Sequence, residues 1–280
     1  MLRTGAGDPV RVDPGSDPRV GDVGDERTRG NPLPFSVHEL RSPGELGRLS
    51  LDPLSDYFDP FLPHFMTEAL RCGGEVWVSE AGGRVTGVLL YNEVERVASV
   101  FTRERALAET FSRLHDPVGV FSDFPLGPAS EVYHVYAVDR STGTVPHTYL
   151  HPVRAGREAD RTAIVRLMRE VYGVLDERWL DRVERDGEKC FVVEFDHEVV
   201  GVAWVCVVPG HARLHSLSVR PGFRRMAVGT DLWHARMQWA RHAGAEGVLT
   251  EISEHNDASR SIATAGGMRP IGQLFLTART

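Results

Sequence analysis

Two stretches of the chain share one alternation of apolar and polar residues. The first begins at Trp77 and reads WVSEAGGRVTGVLLYNEVERVASVFT, and the second begins at Phe191 and reads FVVEFDHEVVGVAWVCVVPGHARLHSLSV. Apolar runs of strand length, separated by short polar turns, predict three consecutive strands in each stretch. Glu80 and Glu194 are each followed seven residues later by a glycine, so the two stretches correspond at an offset of 114 residues.

This correspondence favours two copies of one αβ unit. At the same offset Leu40 corresponds to Arg154, and a strand-then-helix pattern begins at each. The alternative is that any two meandering β-segments look alike. We expect the halves to span 34–146 and 147–280, with the boundary in the polar run Arg140, Ser141, Thr142, Gly143 and Thr144.

The second half predicts a regular succession of further helices and strands. The predicted elements are a strand at Tyr149–Arg154, helices at Glu158–Tyr172 and Asp176–Arg185, a helix at Gly229–Ala243, a strand at Val248–Ile252, a helix at Ala258–Ala265 and a strand at Gly272–Thr277. Residues 1–33 carry Gly, Pro, Asp and Arg without apolar periodicity, so we expect a flexible tail there.

Composition narrows the class of protein. An apolar fraction of 41% with 25% charged residues is typical of a globular chain. A net charge of −7 argues against nucleic acid as the main partner. No stretch approaches the ~20 apolar residues of a membrane span, and no apolar segment follows a basic N-terminus, so we expect no membrane partner and no secretory signal. Cys72, Cys190 and Cys206 lack the spacing of a disulfide framework or metal site, which favours a reducing cytoplasm and no metal.

The segment from Leu214 to Leu232, LHSLSVRPGFRRMAVGTDL, predicts an anion site. An apolar strand leads into an arginine-rich turn that opens directly into a helix. The first backbone N–H groups of a helix have no internal partner, and the helix dipole favours negative charge there. Small residues at Ala227 and Gly229 let a diphosphate approach the main chain, and adjacent arginines add positive charge.

This segment resembles the pyrophosphate loop of the GNAT acyltransferase superfamily, whose pattern is Gln/Arg-x-x-Gly-x-Gly/Ala. Arg224 and Gly229 meet the pattern, and Ala227 replaces the middle glycine, which is accommodated if the local φ is negative. Downstream residues follow a second GNAT spacing, Asn-x-x-Ala-x-x-Leu-Tyr-x-x-x-Gly-Phe: Asn256, Ser259, Ile262, Gly267 and Met268. The resemblance implies an α/β (α+β) fold of two tandem GNAT-like domains, each a mixed, mostly antiparallel sheet flanked by helices.

The same resemblance implies acetyl-CoA or coenzyme A as the acyl donor. The pantetheine would lie between the strand that carries Leu217 and the strand at Thr250–Ile252, and a backbone N–H near Leu217 or Ser218 would polarise the acyl carbonyl. Asn256 is equally suited to cap the helix that follows it. The implied cofactor-binding residues are Leu217, Val219, Arg224, Arg225, Ala227, Val228, Gly229, Thr230, Asn256 and Ser259.

Candidate catalytic residues lie on the strands beside this loop. Relatives often place a carboxylate base on the strand before the loop, and the corresponding positions are Arg213 and His215. We take His215 as the leading base because an imidazole titrates near neutrality, although a packed or solvated histidine is an equal alternative. Glu251 is the carboxylate alternative. The position of the tyrosine acid of many relatives holds Ala263, and no tyrosine follows Tyr172, so water or another residue would have to protonate the leaving thiolate.

The first half lacks this equipment. No glycine lies between Thr102 and Leu114, and Glu104 and Glu109 there would repel a pyrophosphate. We therefore expect a degenerate GNAT-like partner that shapes the acceptor pocket and does not bind coenzyme A. Its aromatic residues belong to the core or line that pocket: Tyr57, Phe58, Phe61 and Phe65.

Together these features predict an N-acyltransferase that takes its acyl group from an acyl-CoA, by preference acetyl-CoA. The predicted acceptor is a small amine metabolite. The amine would attack the thioester directly. Cys206 offers a covalent route, but it lies in an apolar strand with no activating neighbour in sequence. Two alternatives stay open: a non-catalytic acyl-CoA-binding or regulatory module, and a GNAT-fold enzyme that uses another donor or another chemistry.

Overall fold

The computed structural model describes residues 36–278 except 52, 56, 72, 94–95, 116, 140–141, 143–145, 174–176 and 186, and it gives only the backbone for 177–179 and 182. The predicted tail at 1–33 and residue Cys72 lie outside the described residues. So do Arg140, Ser141, Gly143 and Thr144 of the predicted boundary.

Within this part of the chain, twelve strands form one sheet. They are β1 (Ser36–Leu40), β2 (Glu75–Ala81), β3 (Arg84–Asn92), β4 (Val97–Thr102), β5 (Gly119–Ser122), β6 (Glu131–Asp139), β7 (Val153–Ala155), β8 (Lys189–Phe195), β9 (Glu198–Val208), β10 (His211–Val219), β11 (Gly247–Ser253) and β12 (Arg269–Ala278).

Seven α-helices flank the sheet in the described ranges. They are α1 (Pro43–Leu46), α2 (Leu62–Arg71), α3 (Arg105–Phe111), α4 (Arg161–Tyr172), α5 (Glu177–Arg185), α6 (Val228–His242) and α7 (Asp257–Ala265). The elements predicted for the second half are confirmed to within a few residues, except its first strand. That strand begins only at Val153, because the N–H groups of Leu150 and His151 donate to the Asp231 carboxylate instead of to a neighbouring strand.

The two halves contribute interleaved strands to the sheet. The strand order is β1-β2-β3-β4-β5-β12-β6-β11-β10-β9-β8-β7, and neighbours are antiparallel except for the parallel pairs β4–β5 and β10–β11. This confirms the mixed, mostly antiparallel sheet flanked by helices. Strand β6 of the first half lies between β12 and β11 of the second half, and β12 lies between β5 and β6. The sheet is therefore continuous across the predicted limits 34–146 and 147–280, which stay a prediction.

The internal repeat has a counterpart in the strand pairing. The ladder between β2 and β3 shifts register between Ser79 and Glu80, and the ladder between β8 and β9 shifts register between Val193 and Glu194. The two irregularities are therefore separated by the offset of 114 residues seen in the sequence.

The corresponding glycines are also equivalent. A Cβ added to Gly87 would lie 2.5 Å from Leu107 Cδ2 on α3, and a Cβ added to Gly201 would lie 2.5 Å from Val228 Cγ1 on α6. Each glycine therefore allows a helix to pack closely on the middle strand of its half. The repeated sequence marks a repeated contact between helix and sheet.

Both faces of the sheet are covered by helices. On β9, Val202 and Trp204 pack with α4 on one face, whereas Ala203 packs with α6 on the other. This explains the nearly continuous apolar run of β9, since successive residues of a strand point to opposite faces.

One core cluster joins the halves. Phe61 and Met66 of the first half pack in the same cluster as Cys206 and Leu249 of the second. Helix α2 therefore shares a core with strands of both halves. None of the helices in the described part of the chain combines the length and apolar character needed to span a bilayer.

Candidate active site

The predicted anion loop connects β10 to α6. Eight residues separate Val219 from Val228, and Arg224 and Arg225 are exposed among them. The first helical hydrogen bond of α6 runs from the N–H of Asp231 to the carbonyl of Ala227. The N–H groups at the start of α6 therefore precede the helical ladder, which is the arrangement that suits a phosphate.

Ala227 has a positive φ, whereas we expected alanine to replace the family's glycine at a negative φ. It caps α6 with φ 65° and ψ 0°, in the left-handed region. A side chain in this conformation costs about 1–2 kcal/mol relative to the right-handed region. The substitution of the family's middle glycine is therefore accommodated at a cost in backbone energy.

The start of α6 packs between the end of β10 and α7. A Cβ added to Gly229 would lie 3.3 Å from Ile262 Cδ1, 3.6 Å from Leu217 Cδ2 and 3.8 Å from Val219 Cγ2. Gly229 therefore lets these elements pack closely. They border the gap that opens where β10 leaves β11, which we call the groove. Val228 instead points into the core under Gly201, whereas Thr230 is partly exposed.

Strand β10 separates from β11 beside this groove. The parallel pairing covers only His211–Arg213 with Gly247–Leu249. Beyond it, Thr250 Oγ1 donates to the carbonyl of Leu214 at 2.8 Å, and the buried Arg236 of α6 donates to the carbonyl of His215 at 3.1 Å. Side chains thus satisfy carbonyls that a longer ladder would have used.

A bulge re-aims the end of β10. The register with β9 shifts between His215 and Ser218, and Ser216 has φ 51°. Bulges bend a strand and redirect its side chains. The predicted residues Leu217 and Val219 therefore line the groove while His215 lies on the other side of the irregularity.

Asn256 has the capping role that the sequence left open. Its side-chain oxygen accepts a hydrogen bond from the N–H of Ser259 at 3.1 Å, at the start of α7. Asn256 is exposed and Ser259 is partly buried. The cap fixes the start of α7 next to the groove, and cofactor contact by either residue stays a prediction.

His215 is nearly buried and is held at both ring nitrogens. Its Nε2 lies 2.6 Å from Glu188 Oε2, and its Nδ1 lies 3.1 Å from Ser216 Oγ. Burial alone would raise the pKa of the Glu188 carboxyl, but its contacts with His215 and His64 outweigh burial and hold that pKa at about 2. Sequence reasoning missed Glu188 because no local pattern links a residue in a turn to a histidine 27 positions away.

Glu251, the carboxylate alternative, is engaged by a cation. Arg213 Nε lies 2.9 Å from Glu251 Oε1 and 3.1 Å from Oε2, and the Arg213 guanidinium stacks over the Phe65 ring at 5.4 Å. Both positions that a base would occupy on β10 and β11 therefore carry partners. The Nδ1 nitrogen of His215 faces the Ser216 hydroxyl, whereas both oxygens of Glu251 face Arg213.

A cleft of about 770 Å³ adjoins these side chains and has walls from both halves. Phe58 and Phe65, two of the four predicted aromatics, line it, while Phe61 is fully buried in the core. Other lining residues from the first half include Tyr91, Phe101, Phe121 and Asp123, and those from the second half include Tyr172, Arg213, His215, Ser216 and Glu251.

Tyrosines reach the cleft from elements other than the last helix. Ala263, at the family's tyrosine position, is buried in the core. The Tyr172 hydroxyl, at the end of α4, accepts a hydrogen bond from Ser218 Oγ at 3.1 Å. Tyr133 lies on β6, and burial, with smaller effects of Glu131 and Tyr172, raises its pKa. The sequence could not have assigned either residue to the site, because their proximity depends on the interleaved sheet.

Cys206 has the neighbours that the sequence did not reveal. Its Sγ, His64 Nε2 and a Glu188 oxygen all lie within 4.8 Å of one another. The thiol therefore has two polar neighbours that are distant from it in the sequence. Cys206 nevertheless has only 1% of its surface exposed and does not line the cleft, so it is poorly placed to receive an acyl group.

In the first half, the connection between β4 and α3 is too short for an anion loop like that of the second half. Only two residues separate Thr102 at the end of β4 from Arg105 at the start of α3, and the helix cap is Glu104. Arg105 is paired with Glu109 at 3.1 Å. Two residues, Arg103 and Glu104, replace the eight-residue loop of the second half.

Comparisons with known proteins agree with this geometry. Residues 158–266 match the family model of the acetyltransferase (GNAT) family. No curated protein matches the chain.

Solved structures share the fold over most of the chain at low identity. A tandem GNAT protein from the clavulanic acid biosynthesis pathway is 16% identical with a TM-score of 0.59, covering 87% of this chain and 98% of its own. A GCN5-related N-acetyltransferase from Sphaerobacter thermophilus is 13% identical with a TM-score of 0.60, covering 88% and 95%. A GNAT-family acetyltransferase from Colwellia psychrerythraea is 11% identical with a TM-score of 0.58, covering 88% and 100%. Residues 158–266 therefore resemble GNAT acetyltransferase domains in sequence, and most of the chain shares the fold of the tandem GNAT protein.

Proposed function

We propose that this protein is an acetyl-CoA-dependent N-acyltransferase that acylates an amine of a small metabolite. The observation that carries the proposal is the succession of features along β10 and into α6. Arg224 and Arg225 precede the N-terminus of α6, and Leu217 at the end of β10 adjoins Gly229 of that helix. On the same strand, His215 and Ser216 line the cleft.

The shape of the cleft supports a small acceptor. About 770 Å³ is within the range of cavities that hold small organic ligands. Helix α2 and strands β3–β5 form one wall, so the degenerate half narrows the access that a protein substrate would need. The aromatic rings and the carboxylates of Glu93 and Asp123 fit an amine with apolar carbon attached.

The chain would contribute positioning and proton transfer. Acetyl-CoA supplies the thioester whose carbonyl carbon bonds to the amine nitrogen as the C–S bond breaks. His215, directly or through the Ser216 hydroxyl, accepts the proton that the amine loses. Tyr172 is the side chain next to the β10 bulge that can return a proton to the thiolate, because it accepts from Ser218 and its own proton is available to another acceptor.

Calorimetric titration with acetyl-CoA tests the donor site. The double variant Arg224→Glu with Gly229→Asp removes one cation and adds two anions at the start of α6, so it should lose binding by at least about 100-fold. The matched control is Arg48→Glu with Gly47→Asp, which makes the same change of charge at exposed positions of the first half. Equal affinities of the two double variants would contradict the donor site.

Activity against an amine library tests the transfer itself. His215→Gln should lower kcat by about 100-fold with unchanged affinity for acetyl-CoA, because general-base catalysis is lost while the groove is intact. The control is His242→Gln, an exposed histidine on α6. Acetyl-CoA binding without transfer to any amine would instead support the non-catalytic module.

A further inference from the structure

A buried carboxylate joins a histidine from each half of the chain. Glu188 precedes β8, and its Oε2 lies 2.6 Å from His215 Nε2 on β10, while its Oε1 lies 3.9 Å from His64 Nε2 on α2. The side chain of Glu188 is 6% exposed and that of His215 is 9% exposed. We call these three residues the His–Glu–His triad.

The carboxylate determines which nitrogen of His215 carries a proton. An ionised carboxylate only accepts hydrogen bonds, so the hydrogen in the 2.6 Å contact belongs to Nε2 of His215. In the neutral imidazole, Nδ1 is then the basic nitrogen. It lies 3.1 Å from Ser216 Oγ, and Ser216 lines the cleft. The bond to Glu188 thus leaves the basic nitrogen on the side where an amine would bind.

His64 supplies the charge that balances the carboxylate. A buried carboxylate is costly unless a cation accompanies it. Contacts with Cys206 and Glu188 outweigh the effect of burial and raise the pKa of His64 to about 10. Other charged groups that face this triad include Glu68 on α2 and Arg213 on β10.

We propose that Glu188 and His64 are positioning residues for His215. Glu188 fixes the tautomer with hydrogen on Nε2, and His64 is the cation that lets Glu188 stay ionised while His215 is neutral. The proposal rests on the proposed role of His215 as the base. Through His64, the half without an anion loop takes part in the proton transfer of the other half.

Imidazole nitrogen spectra of the full chain labelled with ¹⁵N-histidine test this arrangement without any substrate. His215→Asn assigns the signals. In the wild type at about pH 7, His215 should show a single tautomer with hydrogen on Nε2. In His64→Gln it should become doubly protonated, because the charge that His64 supplied to Glu188 must then come from His215, Arg213 being paired with Glu251. In Glu188→Gln it should lose its single tautomer.

Kinetics give the second readout. Glu188→Gln should lower kcat by about 100-fold and His64→Gln by about 10-fold, with unchanged acetyl-CoA affinity. The acid limb of the pH–rate profile should move to higher pH in His64→Gln. The controls are Glu184→Gln and His197→Gln, an exposed carboxylate and an exposed histidine of the second half.

An unchanged tautomer and protonation state of His215 in both variants would overturn the proposal, even if activity fell, because the two residues would then be structural. The spectra need no acyl transfer, so failure of the proposed function leaves this test intact. If Glu188→Gln does not fold, His64→Gln still decides. Stoichiometric zinc that is lost in His64→Gln would also overturn it, since His64, Glu188 and Cys206 would then be metal ligands.

Discussion

Backbone strain concentrates around the groove at the scale of single residues. Ser216, Arg225 and Ala227 have φ values of 51°, 63° and 65°, the left-handed region that non-glycine residues seldom adopt. Two of them lie in the anion loop and one in the β10 bulge. Such strain persists where the surrounding structure fixes the backbone, and it is common at binding sites.

Ala227→Gly should therefore stabilise the protein. Glycine relieves the left-handed strain but gains freedom in the unfolded chain, so the net increase in unfolding free energy should be about 0.5–1 kcal/mol. Chemical denaturation measures it. Ala243→Gly is the matched control, because Ala243 caps the other end of α6 with φ −74° and should gain nothing. Equal shifts for the two variants would contradict the strain argument.

At the scale of elements, one carboxylate fastens the connection between the halves to α6. Asp231 lies fully buried in the first turn of α6 and accepts from His147 Nε2 at 2.7 Å and from His151 Nδ1 at 2.9 Å. It also accepts from the N–H of His151 at 2.9 Å. These bonds hold the residues before β7 against the helix that carries the anion loop.

Asp231→Asn should lower the unfolding free energy by about 3 kcal/mol, because it removes a buried charge with several donors. Burial raises the pKa of Asp231, but its histidine and backbone donors outweigh burial and lower that pKa below its usual 3.8. The contribution should therefore be complete above about pH 4 and fade as the pH falls through the lowered folded-state value. Denaturation over a pH series measures it, with the exposed Asp181→Asn as control. A difference that does not change at acid pH would contradict this account.

At the scale of the whole molecule, the interleaved sheet makes the halves dependent on each other. Both neighbours of β6 belong to the second half, and both neighbours of β12 belong to the first. If the halves were separated, β6 and β12 would each lose both neighbouring strands. Both edges of each of these strands would then be exposed. Residues 36–139 and 147–278, expressed apart, should show no cooperative unfolding, and mixing them should restore one complex. Circular dichroism and size-exclusion chromatography measure this, and cooperative unfolding of either half alone would contradict it.

The sequence alone determined the local features of this protein. The offset of 114 residues anticipated the matching bulges and the matching glycines Gly87 and Gly201, because a close contact between helix and strand constrains a single position. The anion loop was equally readable, since a strand, an arginine-rich turn and a helix start are contiguous in the chain. Elements with strong periodicity, such as α4 and α6, were predicted to within a few residues.

Tertiary structure decided what lies across the sheet. The pairing of β6 with β11 and β12, the bond of Glu188 to His215 and the approach of His64 from the first half join residues far apart in sequence. Strand order depends on the packing of the whole core, and side-chain partners follow from that order, so neither has a local signature. The loop that would hold the donor could therefore be predicted from contiguous residues. The groups around the proposed base come together only when the protein folds.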